Sequence, residues 1–151
     1  MPAQHHLNYA VHTLGQGNTG YFNGYMPNDF GELLEMGLVF IADADDATFD
    51  YSIECAFGTD TEEFNENTAG PLAGQIALTS NVIHEISVIS LFTDITALDA
   101  FGIAFSSGAG NQQIHLLGTR VKYTPSKPVQ SGTVLINEFF VNASTGQEAG
   151  P

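Results

Sequence analysis

The chain has 151 residues and a mass of 16.1 kDa, room for one domain with its own core and too little for two. Three basic residues, Arg120, Lys122 and Lys127, stand against seventeen acidic ones, for a formal charge of −14, and affinity for a phosphate backbone comes from Lys and Arg releasing counterions. Direct binding to nucleic acid or an anionic membrane is therefore excluded, while 43% apolar and 11% aromatic content excludes a disordered chain.

Residues 1–26 differ in character from the rest of the chain. His5, His6 and His12 precede Gly15-Gln16-Gly17-Asn18-Thr19-Gly20, and then come Tyr21-Phe22-Asn23-Gly24-Tyr25-Met26. Asn, Gly, Gln and aromatics without a helical period predict an extended N-terminal arm. From Leu33 the chain becomes a string of short strand-like runs: 33–42, 48–57, 75–79, 83–92, 101–106 and 114–123. Phe49, Tyr51, Ile53 and Cys55 alternate with Asp50, Ser52 and Glu54, the period of a half-buried strand. Polar stretches at 43–47, 58–74, 94–100 and 107–113 separate the runs, and none offers the ten-residue helix that a βαβ crossover needs. The expected fold is an all-β antiparallel sandwich over 27–124. A Pro-bracketed linker, Pro125-Ser126-Lys127-Pro128, then leads to one extra strand at 133–141 and a polar tail ending at Pro151. That C-terminal segment, 125–151, is expected to pair either with the N-terminal arm or with a neighbouring subunit.

Little in the sequence carries chemistry. Gly15 to Gly20 spells G-x-G-x-x-G, but a dinucleotide site needs a strand before it and a helix after it, and Tyr21-Phe22-Asn23 opens no helix. His5, His6 and His12 would make a zinc site only if the arm folded back, and His84 and His115 fall in strands where a structural histidine is the default. Asp43, Asp45, Asp46 and Asp50 crowd one turn, and hard carboxylate oxygens gathered on a loop are what calcium requires; a solvated acidic loop is the preferred reading, so no cofactor is expected and calcium at these four residues is the alternative. The spacing is not that of an EF-hand. Asp60, Glu62, Glu63 and Glu66 read as an exposed loop. No nucleophile elbow is present, since Ala104-Phe105-Ser106-Ser107-Gly108 lacks the first glycine, and no triad order is visible, so the chain is read as no enzyme. Cys55 is alone and forbids an intrachain disulfide. No run approaches the roughly 18 apolar residues of a membrane span, and the N-terminus lacks a signal-peptide pattern, which implies synthesis in a cytoplasm. Asn142-Ala143-Ser144 spells a glycosylation sequon without that context.

Five segments carry a family resemblance: Pro27-Asn28-Asp29-Phe30, Ala42 to Tyr51, Ile86 to Leu91, Leu98 to Ser106, and Leu116-Leu117-Gly118-Thr119-Arg120-Val121-Lys122-Tyr123-Thr124. Over residues 27–124 the chain resembles the jelly-roll domains of tailed-phage virion proteins, the surface fibres and decoration proteins. The resemblance implies a jelly-roll module that trimerises and serves as a structural part of a virion. The function expected from it is capsid decoration: a cement protein on the capsid surface, bound to the major capsid protein, homotrimeric, with neither nucleic acid nor membrane as partner. Tyr21, Phe22, Tyr25 and Met26 are the expected interface anchors on the arm, because large aromatics dominate interface energetics, and a core role is their alternative. The rival readings are a fibre or spike module and a calcium-dependent carbohydrate-binding module, the latter weakened by the absence of Trp.

Overall fold

The computed structural model describes residues 4–6 and 9–126. They form nine strands: β1 (Gln4–His6), β2 (Tyr9–Leu14), β3 (Thr19–Tyr25), β4 (Phe30–Ala42), β5 (Asp46–Gly58), β6 (Asn67–Leu78), β7 (Ile83–Ser87), β8 (Ala100–Ser107) and β9 (Ile114–Pro125). A single 3-10 turn at Ile89–Leu91 is the one helical segment among the described residues, and none of them forms a helix long and apolar enough to cross a membrane. All pairings are antiparallel, in two sheets of order β1-β2-β9-β4-β7 and β3-β8-β5-β6. The pairs are nested: β5 with β6, β4 with β7, β3 with β8, β2 with β9. A ribbon paired in this way and wrapped once brings β9 against β4 and β8 against β5, which closes both sheets. That is the winding of a jelly roll, two four-stranded sheets face to face with β1 added at one edge.

The core lies between the sheets and is built on phenylalanine. Phe40 of β4 meets Phe105 of β8 edge-on at 5.8 Å and stacks on Phe49 of β5 at 6.1 Å, so the two sheets are joined through rings. In a second cluster the Phe92 ring lies 5.8 Å, centroid to centroid, from both Phe57 and Phe101. Phe40, Phe49, Phe92 and Phe105 are fully buried, each contributing about 2–3 kcal/mol of apolar transfer. Inward positions alternate with outward ones, as Phe101, Ile103 and Phe105 do with Ala100, Gly102, Ala104 and Ser106.

The N-terminal arm expected over residues 1–26 is corrected. Residues 9–14 and 19–25 are strands of the sandwich: β3 pairs with β8 through seven successive residues, from Thr19 opposite Ser106 to Tyr25 opposite Ala100. The reason lies in two glycines. Gly20 and Gly24 occupy inward positions of β3, and a Cβ there would sit 2.6 Å from Leu116 and from Phe101 respectively. Neighbouring side chains cover this strand's inner face, so it needs few apolar residues of its own. The expected strand at 133–141 and the tail beyond it lie outside the described residues.

Candidate functional site

Two regions gather the residues singled out above. The first is the acid-rich end of the sandwich. Asp43 Oδ1 is 2.7 Å from His115 Nε2, and His115 Nδ1 is 3.0 Å from Thr13 Oγ1. The carboxylate can only accept, so Nε2 donates to Asp43, and Nδ1 shares the second bond with the threonine hydroxyl. Asp43 Oδ2 takes the Gln113 side-chain amide at 2.9 Å. Asp45 accepts the Ser80 N–H at 2.8 Å, and Asp46 accepts the N–H groups of Thr48 and Gln112, both at 3.0 Å. Asp50 accepts the Gln75 amide at 2.7 Å. The four aspartates weighed as a calcium set thus point to different partners, and no group of three His, Cys, Asp or Glu among the described residues gathers to hold a metal ion. Their geometry is that of a clamp: carboxylates on the β4–β5 turn and β5 bond the β6–β7 turn, β6 and the β8–β9 turn.

Asn111 completes this end. Its side-chain amide donates to Asp50 O at 2.6 Å, beside the Gly108 N–H at 3.1 Å, and accepts from Asp50 N–H at 3.0 Å, so it supplies the acceptor that a continuing β8 would offer to β5. Nδ2 also donates to Ser107 Oγ at 2.9 Å. The Gly15 to Gly20 stretch is the β2–β3 turn and the start of β3, with Gly17 at φ +72° and its N–H bonded to Gly108 O at 3.0 Å; a strand and not the helix of a nucleotide loop comes after the turn. Of the histidines, His84 stacks on Phe40 and accepts the Thr79 N–H at 3.0 Å, while His12 is exposed beside Leu14 and Leu116. The side chains of His5 and His6 lie outside the described part. Cys55 is buried, its Sγ donating to Leu91 O at 3.2 Å, and burial pushes the thiol up to about 11.

The second region is the outer face of the β3-β8-β5-β6 sheet. Register sets its rows: Tyr21 opposite Ala104 opposite Glu54; Asn23 opposite Gly102 opposite Ala56 opposite Thr68; Tyr25 opposite Ala100 opposite Gly58. The floor is thus Gly and Ala, with tyrosines standing at the β3 edge. A trough of about 450 Å³ lies between Tyr21, Glu54 and Thr68, and one of about 590 Å³ between Tyr25, Gly58 and the Glu62-Glu63-Phe64 stretch. They share Asn23, Ala56 and Gly102 and so form one depression along the face. Tyr21, Tyr25 and Phe64 are 72%, 78% and 88% exposed. Of the four anchors expected from sequence, Tyr21 and Tyr25 line this face. Phe22 points inward against the core, and Met26, 1% exposed, is a core residue, because alternation sends even-numbered positions of β3 to the other side. Asn23, Glu54, Ala56, Gly102 and Phe64 were not singled out by sequence reasoning; the alternation of Thr19, Tyr21, Asn23 and Tyr25 is the signal that finds the β3 rim.

No cation borders the trough among the described residues. Arg120 and Lys122 both stand on the other sheet, Arg120 bonding Glu35 at 2.8 Å and Glu85 at 2.7 Å, and Lys122 lying 3.8 Å from Glu35. The Glu85 side chain reaches Arg120 across Gly37, where any Cβ would collide with that carboxylate. Arg120, and then Lys122, hold the Glu35 carboxyl below its ordinary value.

The chain is, in class, a jelly-roll module with one open, aromatic-rimmed sheet face. No protein-family model and no curated protein matches it. Among solved structures it is similar to the Anabaena sensory rhodopsin transducer, at 16% identity over 72% of this chain and 99% of that one, with a TM-score of 0.36. At that level neither fold nor function transfers.

Proposed function

We propose that the chain is a non-enzymatic structural protein of a tailed-phage virion, a capsid decoration protein that meets its neighbours through the outer face of the β3-β8-β5-β6 sheet. The observation that carries the reading is that face: exposed Tyr21, Tyr25 and Phe64 around a floor of small residues, the anatomy of an interface in which a few large aromatics supply most of the binding energy. Support also comes from the segment of the resemblance that runs from Leu116 to Thr124, which falls in β9, between β2 and β4. Under this reading the major capsid protein is the partner, the working form is a homotrimer, and the location is the capsid surface.

The rival carbohydrate-binding reading uses the same trough, with tyrosines as stacking surfaces. Its calcium-dependent form has no support in the acid-rich turn, whose carboxylates bond protein groups.

The test is to band particles from a lysate of cells that produce the chain on a density gradient and probe every fraction with antibody raised against it. The reading predicts signal that co-bands with intact particles in stoichiometric amount. Signal confined to the soluble fractions overturns it.

A further inference from the structure

We propose that the trough on the β3-β8-β5-β6 face is a docking groove for an extended, Lys- or Arg-bearing segment of a partner protein. The inference rests on the groove itself and holds whether or not the partner belongs to a virion. Tyr21 and Tyr25 are four residues apart on one strand, about 13 Å, so their rings mark out a length that an extended peptide of about four residues spans. The floor between Ala56, Gly102 and Ala104 carries no side chain larger than a methyl group, so a main chain can approach the sheet closely. What surrounds that floor decides the occupant. Glu54 stands beside Tyr21 at one end, and Glu62 and Glu63 stand with Phe64 at the other. Glu62 already accepts the Asn67 amide at 2.9 Å; no cation among the described residues lines either end.

Aromatic faces next to carboxylates attract ammonium and guanidinium groups twice over, through the ring quadrupole and through charge. A second copy of this chain fits badly, because its own charge is −14 and its two described cations are held by Glu35 and Glu85 on the other sheet. The complement must therefore come from a different, basic chain. In an extended segment alternate side chains face the same way, so cations at every second position fall on the carboxylate and tyrosine side of the groove.

The experiment uses the full chain and a fluorescein-labelled peptide of alternating Lys and Gly, with an alternating Ser and Gly peptide as its neutral counterpart. Anisotropy is read as a function of salt. Expected are saturable binding of the Lys peptide that weakens as salt rises, and no binding of the neutral peptide. Tyr21→Ala with Tyr25→Ala should weaken binding about tenfold, since each exposed cation–π contact is worth about two- to fivefold. Glu54→Gln should weaken it severalfold, whereas Glu32→Gln, which removes the same charge from an exposed position on the other sheet, should leave it unchanged. Amide shifts of the wild-type chain on adding peptide provide a readout independent of any variant: changes centred on Asn23, Ala56 and Gly102 support the groove. The proposal is overturned if Glu32→Gln weakens binding as much as Glu54→Gln, which would mean net charge alone. It is equally overturned if the tyrosine variant binds as wild type, if the amide shifts centre elsewhere, or if a neutral oligosaccharide and not the peptide binds saturably.

Discussion

Replacing Asn111 tests whether a side-chain amide serves as the end of a strand. Asn111 is 4% exposed, and its amide makes three bonds, two with the backbone of Asp50 and one with Ser107 Oγ. In Asn111→Ala the Asp50 carbonyl keeps the Gly108 N–H at 3.1 Å, but the Asp50 N–H loses the Asn111 acceptor. Three bonds at about 1 kcal/mol each give a loss of about 3 kcal/mol. With a urea slope of about 2 kcal/mol per M, the unfolding midpoint should fall by about 1.5 M. Asn111→Asp should do at least as much harm, because it removes both donors and sets a carboxylate oxygen against the Asp50 carbonyl. Urea unfolding followed by far-UV circular dichroism at pH 7 reads both. If Asn111→Ala stays within about 0.5 kcal/mol of wild type, the amide is not acting as a strand end and its bonds to Asp50 do not hold this turn.

Other contacts give further expected outcomes. Gly24→Val should cost about 1–3 kcal/mol in the same urea assay, because its side chain enters the space held by the Phe101 ring; an unchanged midpoint would show that β3 does not lie against that ring. Arg120 holds Glu35 below its ordinary value, so the pair stabilises the fold above pH of about 4.3 and that contribution is lost as pH falls through the lowered value. Unfolding midpoints of wild type and Glu35→Gln should therefore differ at pH 7 and converge in acid, and a difference that grows in acid contradicts the pairing. With its thiol raised to about 11 and buried, Cys55 should resist iodoacetamide at pH 8 until urea unfolds the chain; rapid labelling of the native protein would mean that β5 opens at that point.

The middle of the sandwich was legible because its strands alternate with full-sized apolar residues. Phe49, Tyr51, Ile53 and Cys55 against Asp50, Ser52 and Glu54 state both the strand and its buried face, and Phe101, Ile103 and Phe105 do so for β8. β3 was not legible, since two of its inward positions are glycines whose space is filled by Phe101 and Leu116 from elsewhere in the chain. A hydrophobic period shows only when the strand supplies its own inward side chains. The partners of the acid-rich turn were hidden for a related reason. Four aspartates close in sequence resemble a ligand set, but the groups that bond them, Ser80, Gln112, Gln113 and His115, are brought up by turns and strands distant in the chain. The open face was half legible: Tyr21 and Tyr25 were picked out for their size, and only the register with Ala104, Glu54, Ala100 and Gly58 reveals that they rim a trough.

The most direct test of the proposed role is to add the purified chain to capsids assembled without it and pellet the particles. Wild type is expected to co-sediment to saturation at a fixed ratio to the major capsid protein, Glu32→Gln to do the same, and the Tyr21→Ala, Tyr25→Ala double variant to remain in the supernatant while still folded by circular dichroism. Particles that leave the wild-type chain in solution, or that take up the double variant equally well, would contradict the assignment of this sheet face as the surface through which the protein works.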